Sequence, residues 1–335
     1  MLLSDESVHT GGAKRDPAER SVPRPAKAVV GVGLVLLSAL AFGSTPAFVR
    51  LAYSAQINGV SLVAFRCLIA AAVLWILSRT LGEGTVRRRS ALRLVAIGAV
   101  LFGPQMWSYF AALHLLDTSV TVAVVYVYPA IVAVLVAFRL RKLPRRAELI
   151  LLLLALGGIA MIALFNGAAL DSTTGMLLAG LTAVGYAIYV VVADTAVRDV
   201  PPNTAASLVL VGAGASSVLA ALVTQQLELP TSPAGWSYIA LHGLIIVPIG
   251  LASYYAGLKR LGAARTSVVD TSQPAIAAGI GVAALGEQLA FFQIVGIVAV
   301  MVAVLGLPIM AAAQAAPRGW PASPRVADPS GMSPK

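Results

Sequence analysis

Long apolar runs separated by short polar stretches make up most of this chain. A helix needs about 20 residues to cross ~30 Å of hydrocarbon, and ten of the runs are long enough. They cover about 28–49, 59–79, 92–113, 119–138, 147–166, 174–193, 204–224, 236–258, 265–285 and 290–313, and are called spans 1 to 10. The pattern predicts an all-α integral membrane protein with ten transmembrane helices joined by short loops. The flanking segments 1–27 and 314–335 are rich in Pro, Gly, Ser and mixed charge and are expected to be disordered cytoplasmic tails. The first of them has no apolar core of the kind found in a cleavable signal peptide.

Composition points the same way. The chain is 59% hydrophobic and 11% charged, with a mean hydropathy of +0.87, whereas soluble domains carry about 25% charged residues. The net charge of +10 would suit nucleic acid in a soluble protein, but here it belongs to the loops. With the first tail placed in the cytoplasm, 22 of the 24 Lys and Arg residues lie on the inner side, in the tails and in clusters such as Arg87–Arg89 and Arg141–Arg146. Only Arg50 falls outside, and only Arg66 falls within a span. Cytoplasmic loops collect Lys and Arg, so both termini are expected inside a multi-pass plasma (cytoplasmic, or cell inner) membrane protein. Asp117, Asp171 and Glu287 are then expected outside. The single cysteine, Cys67, leaves no intrachain disulfide and reads best as a small packing residue.

The stretch from Ser108 to Leu140 is written twice. A shift of 145 positions lays it on Ser253 to Leu285 without a gap, and twelve of the thirty-three positions are identical, among them Tyr109/Tyr254, Thr121/Thr266 and Pro129-Ala130-Ile131/Pro274-Ala275-Ile276. Two five-helix repeats follow, 28–166 and 170–313. With five spans each, the second repeat enters the membrane from the opposite side, and the loop charges agree. HLLDTS after span 3 lacks Lys and Arg while its counterpart reads KRLGAAR, and RLRKLPRR after span 4 is answered by ALGEQLA. Inverted repeats of this kind mark transporters whose substrate sites lie between the halves.

Several features together resemble the EamA-type transporters of the drug/metabolite transporter superfamily. They are ten spans in two halves, an Arg in span 2 (LVAFRCLIAA), Tyr-Phe-Ala-Ala-Leu ahead of span 4, Pro-Ala-Ile in spans 4 and 9, and Gly-Glu in LGEQL after span 9. The resemblance covers about 28–313. Such proteins often carry Gly-Glu after span 4 as well, where this chain reads Arg-Leu-Arg-Lys, so any role of that acid rests on Glu287. The resemblance implies a secondary carrier, often an exporter, of small metabolites or drugs.

The residues themselves nominate a site. Pro104, Pro129, Pro248 and Pro274 each remove a backbone hydrogen bond at membrane depth, which is tolerated where protein or a wet cavity satisfies the freed carbonyl, so they are candidate gating bends or ordinary packing kinks. Arg66, near the middle of span 2, costs ~2.5–3.5 kcal/mol there if unpaired. It is either a ligand for a substrate carboxylate or a structural partner within the bundle. Asp270 lies in TSVVDTSQPA, a markedly polar membrane stretch, and replaces Val125 of the first repeat. It is either a proton-coupling carboxylate or a solvated residue at a helix start near Arg265. Gln105, Trp107, Tyr126, Tyr128 and Gln273 are suited to an amphipathic cavity wall. Tyr109 and Tyr254 read as interfacial anchors, while Tyr186 and Tyr189 can face either cavity or lipid.

The expected partners are a small-molecule substrate, which is anionic or zwitterionic if Arg66 binds it, the membrane lipid, and a proton as coupling ion. The protein is expected to be a monomer or homodimer and to need no cofactor or metal. A flippase for a lipid-linked substrate is the alternative on the same fold. An intramembrane enzyme is the other, and for that His9, His114 and His242 lack metal-binding or nucleophile–base spacing.

Overall fold

The computed structural model describes residues 25–45, 57–116, 118–141, 145–164, 172–276 and 290–315. Within them the chain is helical and forms no strand. Six helices are long and apolar enough to cross a membrane, and shorter apolar helices accompany them. Asp117, Asp171 and Glu287 lie outside the described residues, as do most of the two tails.

In chain order the elements are α1 (Pro25–Gly43), α2 (Gly59–Thr80), α3 (Arg88–Leu115), α4 (Thr118–Val125), α5 (Tyr128–Leu140) and α6 (Arg146–Leu164). They continue with α7 (Thr173–Ala196), α8 (Pro202–Val223), α9 (Pro233–Leu261), α10 (Ala263–Asp270) and α11 (Phe291–Ala315). Span 4 is therefore two helices, α4 and α5, and span 9 breaks after α10 before residues 272–276 resume the helix.

Each break has a proline behind it. Pro129 and Pro274 offer no N–H to the carbonyls of Val125 and Asp270, the last residues of α4 and α10, and each sits in the first turn of the next helical piece, where a missing N–H costs nothing. Pro104 and Pro248 act differently. Ahead of each, the helix widens into one π-turn, Gly98–Phe102 in α3 and His242–Ile246 in α9. The amide of Gly103 reaches back to the Gly98 carbonyl, and that of Val247 to the His242 carbonyl. Widening relieves the clash between a proline ring and the carbonyl four residues earlier.

Helix pairing follows the repeat. α1 packs on α9 as α7 packs on α3, and α2 pairs with α8 and α6 with α11, each helix meeting its own counterpart. Exchanging the two halves leaves this set of pairs unchanged, as a twofold relation between repeats requires. In lipid no hydrophobic effect drives helices together, so close contact relies on small residues. Gly212 of α8 lies against the Val95 carbonyl, Gly98 of α3 against the Val209 carbonyl, and Gly158 of α6 against Gly296 and Val300 of α11. Cys67 is free and fully buried in this packing.

Candidate functional site

The breaks converge on one internal cavity. It is walled by α1, α3, the α4–α5 break, α7, α9 and residue 273 beyond α10, and α2 adds Arg66. These are spans 1, 3 and 4 with their counterparts 6, 8 and 9, so the cavity lies on the pseudo-symmetry relation between the halves. Its volume is about 80 Å³, enough for several waters at roughly 10–15 Å³ each.

Asp270 anchors one side. It is fully buried (0% exposed) at the end of α10. Its Oδ2 accepts the Tyr128 hydroxyl at 2.6 Å and the Tyr186 hydroxyl at 3.2 Å, and its Oδ1 accepts Gln273 Nε2 at 2.5 Å. All three donors line the cavity, so the carboxylate is one hydrogen bond removed from it. The reading of Asp270 as a solvated helix-start residue does not hold: it ends its helix, and Arg265 pairs instead with Glu148 at 3.1 Å. Thr266, Ser267, Thr271 and Ser272 around it are also buried, so the polar TSVVDTSQPA stretch faces protein. The break forms where Pro274 frees the Asp270 carbonyl, while Thr271 Oγ1 donates to the Val268 carbonyl at 2.6 Å.

Arg66 supplies the cavity's cation. It is 3% exposed, its Nη2 approaches the Met106 sulfur at 3.1 Å, and its guanidinium carbon stands 4.7 Å from the Phe110 ring centre. Aromatic and thioether groups are thus among the partners that hold the planar group in place. Gln105, also 3% exposed, lines the cavity, and its Nε2 has no hydrogen-bond partner among the described residues. Leaving a buried donor unmet costs ~1–3 kcal/mol, which a polar guest in the cavity would recover.

Aromatic rings complete the wall. Tyr128 meets Tyr186 edge-on at 4.6 Å and Tyr126 at 5.9 Å, and behind them Tyr189 shares a 2.6 Å hydroxyl contact with Tyr255. Tyr126, Tyr128 and Gln273 thus join Arg66 and Gln105 around one space. Trp107 does not. Its indole N–H donates to Ser217 Oγ of α8 at 2.9 Å, because Phe102, Gln105, Met106 and Tyr109 fill the cavity face of α3 at helical spacing and position 107 points off that face. Tyr109 and Tyr254 are likewise corrected from interfacial anchors to cavity residues, with Tyr254 fully buried. Tyr186 resolves to the cavity, and Tyr189 to the protein interior behind it.

Of the four prolines, Pro129 and Pro274 immediately follow the cavity residues Tyr128 and Gln273, while Pro104 and Pro248 immediately precede Gln105 and follow Val247. Thr182 and Leu251 are further cavity residues that the sequence did not single out. Thr182 stands four and seven residues before Tyr186 and Tyr189, a polar stripe at helical spacing that carried its signal, whereas Leu251 is apolar among apolar neighbours and carried none.

Comparison with known proteins agrees with this arrangement. The model of the EamA-like transporter family matches twice, over residues 29–164 and 173–308. A solved structure described as "Crystal structure of protein" is similar in fold, with a TM-score of 0.69 and 20% identity over 87% of this chain and 100% of that one. A search of curated proteins finds no match.

Proposed function

Because the chain belongs to the EamA-like transporter family, and so is a membrane transporter of the drug/metabolite kind, we propose that it is a secondary exporter of small anionic or zwitterionic metabolites, working by alternating access and driven by protons, with no catalytic step. The observation that carries this reading is a single cavity between the repeats holding the guanidinium of Arg66, the Gln105 Nε2 that meets no acceptor among the described residues, and the hydroxyl partners of Asp270. Arg66 would grip a carboxylate with its forked donors, Gln105 and Gln273 would orient the polar end, and the tyrosine faces would take the apolar part. Asp270 would exchange the proton. Pockets for drug-sized ligands measure ~300–1,000 Å³, so a cavity of about 80 Å³ favours a small cargo and requires the walls to part during loading. The prolines beside the cavity residues are the proposed bending points.

Uptake of a labelled panel of amino acids and other carboxylated metabolites into proteoliposomes, with and without a pH gradient, tests the reading. Accumulation of at least one member, enhanced by the gradient, is the expected result. A panel carried equally well by empty liposomes would sink it.

The carrier is further proposed to have ten spans, with both termini in the cytoplasm. In a Cys67→Ser background, Thr173→Cys is expected to react with an impermeant thiol reagent added outside, and Arg88→Cys only after the membrane is opened. The reverse labelling would invert the orientation.

A further inference from the structure

Two acidic residues far from the cavity hold equivalent places in the two halves. Glu83 follows α2, Glu228 follows α8, and they are 145 positions apart, the same shift that relates Ser108 to Ser253. Glu83 accepts Asn203 Nδ2 at 2.8 Å, the Thr204 amide at 2.9 Å and Thr204 Oγ1 at 2.5 Å. It thereby caps the N-terminus of α8, whose own cap position, Pro201, contributes no side-chain bond. Glu228 accepts the amide of Asn58, the N-cap residue of α2, at 2.9 Å, and its own amide donates to Ser61 Oγ at 2.9 Å. The neighbouring Gln226 carbonyl takes Asn58 Nδ2 at 2.5 Å. Asn58 and Asn203 are again 145 apart. Each helix of the α2–α8 pair therefore ends in a carboxylate that caps the start of the other, where the macrodipole also favours an anion.

Between these latches the pair is tight. Ser207 Oγ donates to the Ala71 carbonyl at 2.8 Å, and a Cβ on Gly214 would meet Leu68 at 2.6 Å. Neither helix has a π-turn or an internal proline.

The flanking helices α3 and α9 have the opposite character, and their weak points rest on this pair. Gly98 opens the π-turn of α3 and lies against the Val209 carbonyl of α8. Gly243, 145 positions later and inside the π-turn of α9, lies against Ile69 and the Arg66 carbonyl of α2. Any side chain at either glycine would collide.

We propose that α2 and α8 form a fixed fulcrum, latched at both ends by Glu83 and Glu228, and that the cavity opens to either side as α3 and α9 bend over it at Gly98 and Gly243. The inference rests on the carrier reading and adds which helices stay still. One latch on each membrane face would otherwise have to open in turn, so the two mechanisms differ in what a covalent latch does.

A cavity cysteine, Thr182→Cys in a Cys67→Ser background, reports access when vesicles are treated with a small charged thiol reagent from one side or the other. Two further versions carry Asn58→Cys with Glu228→Cys, or Glu83→Cys with Thr204→Cys, and each added pair is closed by mild oxidation and verified by mass spectrometry. The fulcrum predicts that, with either pair closed, labelling at 182 continues from both sides at an unchanged rate. It also predicts that Gly98→Ala and Gly243→Ala slow that labelling, while Gly33→Ala, with no atom within 4 Å of its added Cβ, does not. A closed latch that abolishes labelling from one side, or glycine variants that fold and label at the unchanged rate, overturns the proposal. Should a glycine variant fail to fold, the cross-link results still decide. If Thr182→Cys labels from one side only before any cross-link, the carrier reading itself fails and the fulcrum with it.

Discussion

Arg66→Ala is expected to abolish binding of carboxylated substrates while the protein remains folded. A hydrogen bond to a charged group contributes ~1.5–3 kcal/mol, so losing a two-pronged guanidinium–carboxylate contact corresponds to roughly 10²–10⁴-fold weaker binding at ~1.4 kcal/mol per factor of ten. Among the described residues, Arg66 is the one charged residue that lines the cavity, so none of these supplies a second cation. Arg66→Lys separates charge from geometry: it keeps the cation and loses the planar fork and its stacking on Phe110, so partial binding is expected. Binding of the labelled metabolite to purified protein, read beside a thermal melt, checks this. Undiminished binding by a folded Arg66→Ala protein would leave Arg66 as a structural group held by Met106 and Phe110.

The scaffold was legible in the sequence because two strong physical demands write it there. Hydrocarbon thickness forces runs of about 20 apolar residues, and duplication keeps Tyr, Thr and Pro-Ala-Ile at a constant 145-residue shift. The chemistry was legible where symmetry fails: Arg66 and Asp270 occupy positions held by Val211 and Val125 in the opposite repeat, so a charge that the fold does not need stands out. What was not legible was direction. Where a span is apolar around most of its circumference, nothing in the chain distinguishes Trp107, turned toward Ser217, from Tyr254, turned into the cavity. The breaks in spans 4 and 9 were visible only as prolines, and the π-turns not at all, since no residue type demands one. Glu83 and Glu228 did carry a signal in their spacing, but Arg79-Thr80-Leu81-Gly82 and Thr224-Gln225-Gln226-Leu227 before them match at no aligned position. Only the structure shows that the two glutamates reach equivalent places at opposite ends of the pair.

Asp270→Asn is expected to leave substrate binding and exchange largely intact while removing the drive from a pH gradient. The amide has nearly the shape of the carboxyl and keeps an oxygen for the Tyr128 and Tyr186 hydroxyls, so the cavity wall should survive. What the amide cannot do is take up and release a proton. One unit of pH difference is worth ~1.36 kcal/mol per proton, so coupled wild-type protein can hold up to about tenfold accumulation per proton moved, and the variant should fall to none while still exchanging labelled for unlabelled substrate. Tyr128→Phe offers a second view, because it removes the shortest hydroxyl contact to Asp270 and keeps the acid. Coupling should weaken there without being lost. If Asp270→Asn accumulates substrate with the pH dependence of the wild type, the carboxylate serves only to join α10 to Tyr128 and Tyr186, and the driving ion must act at another residue or the carrier must run without one.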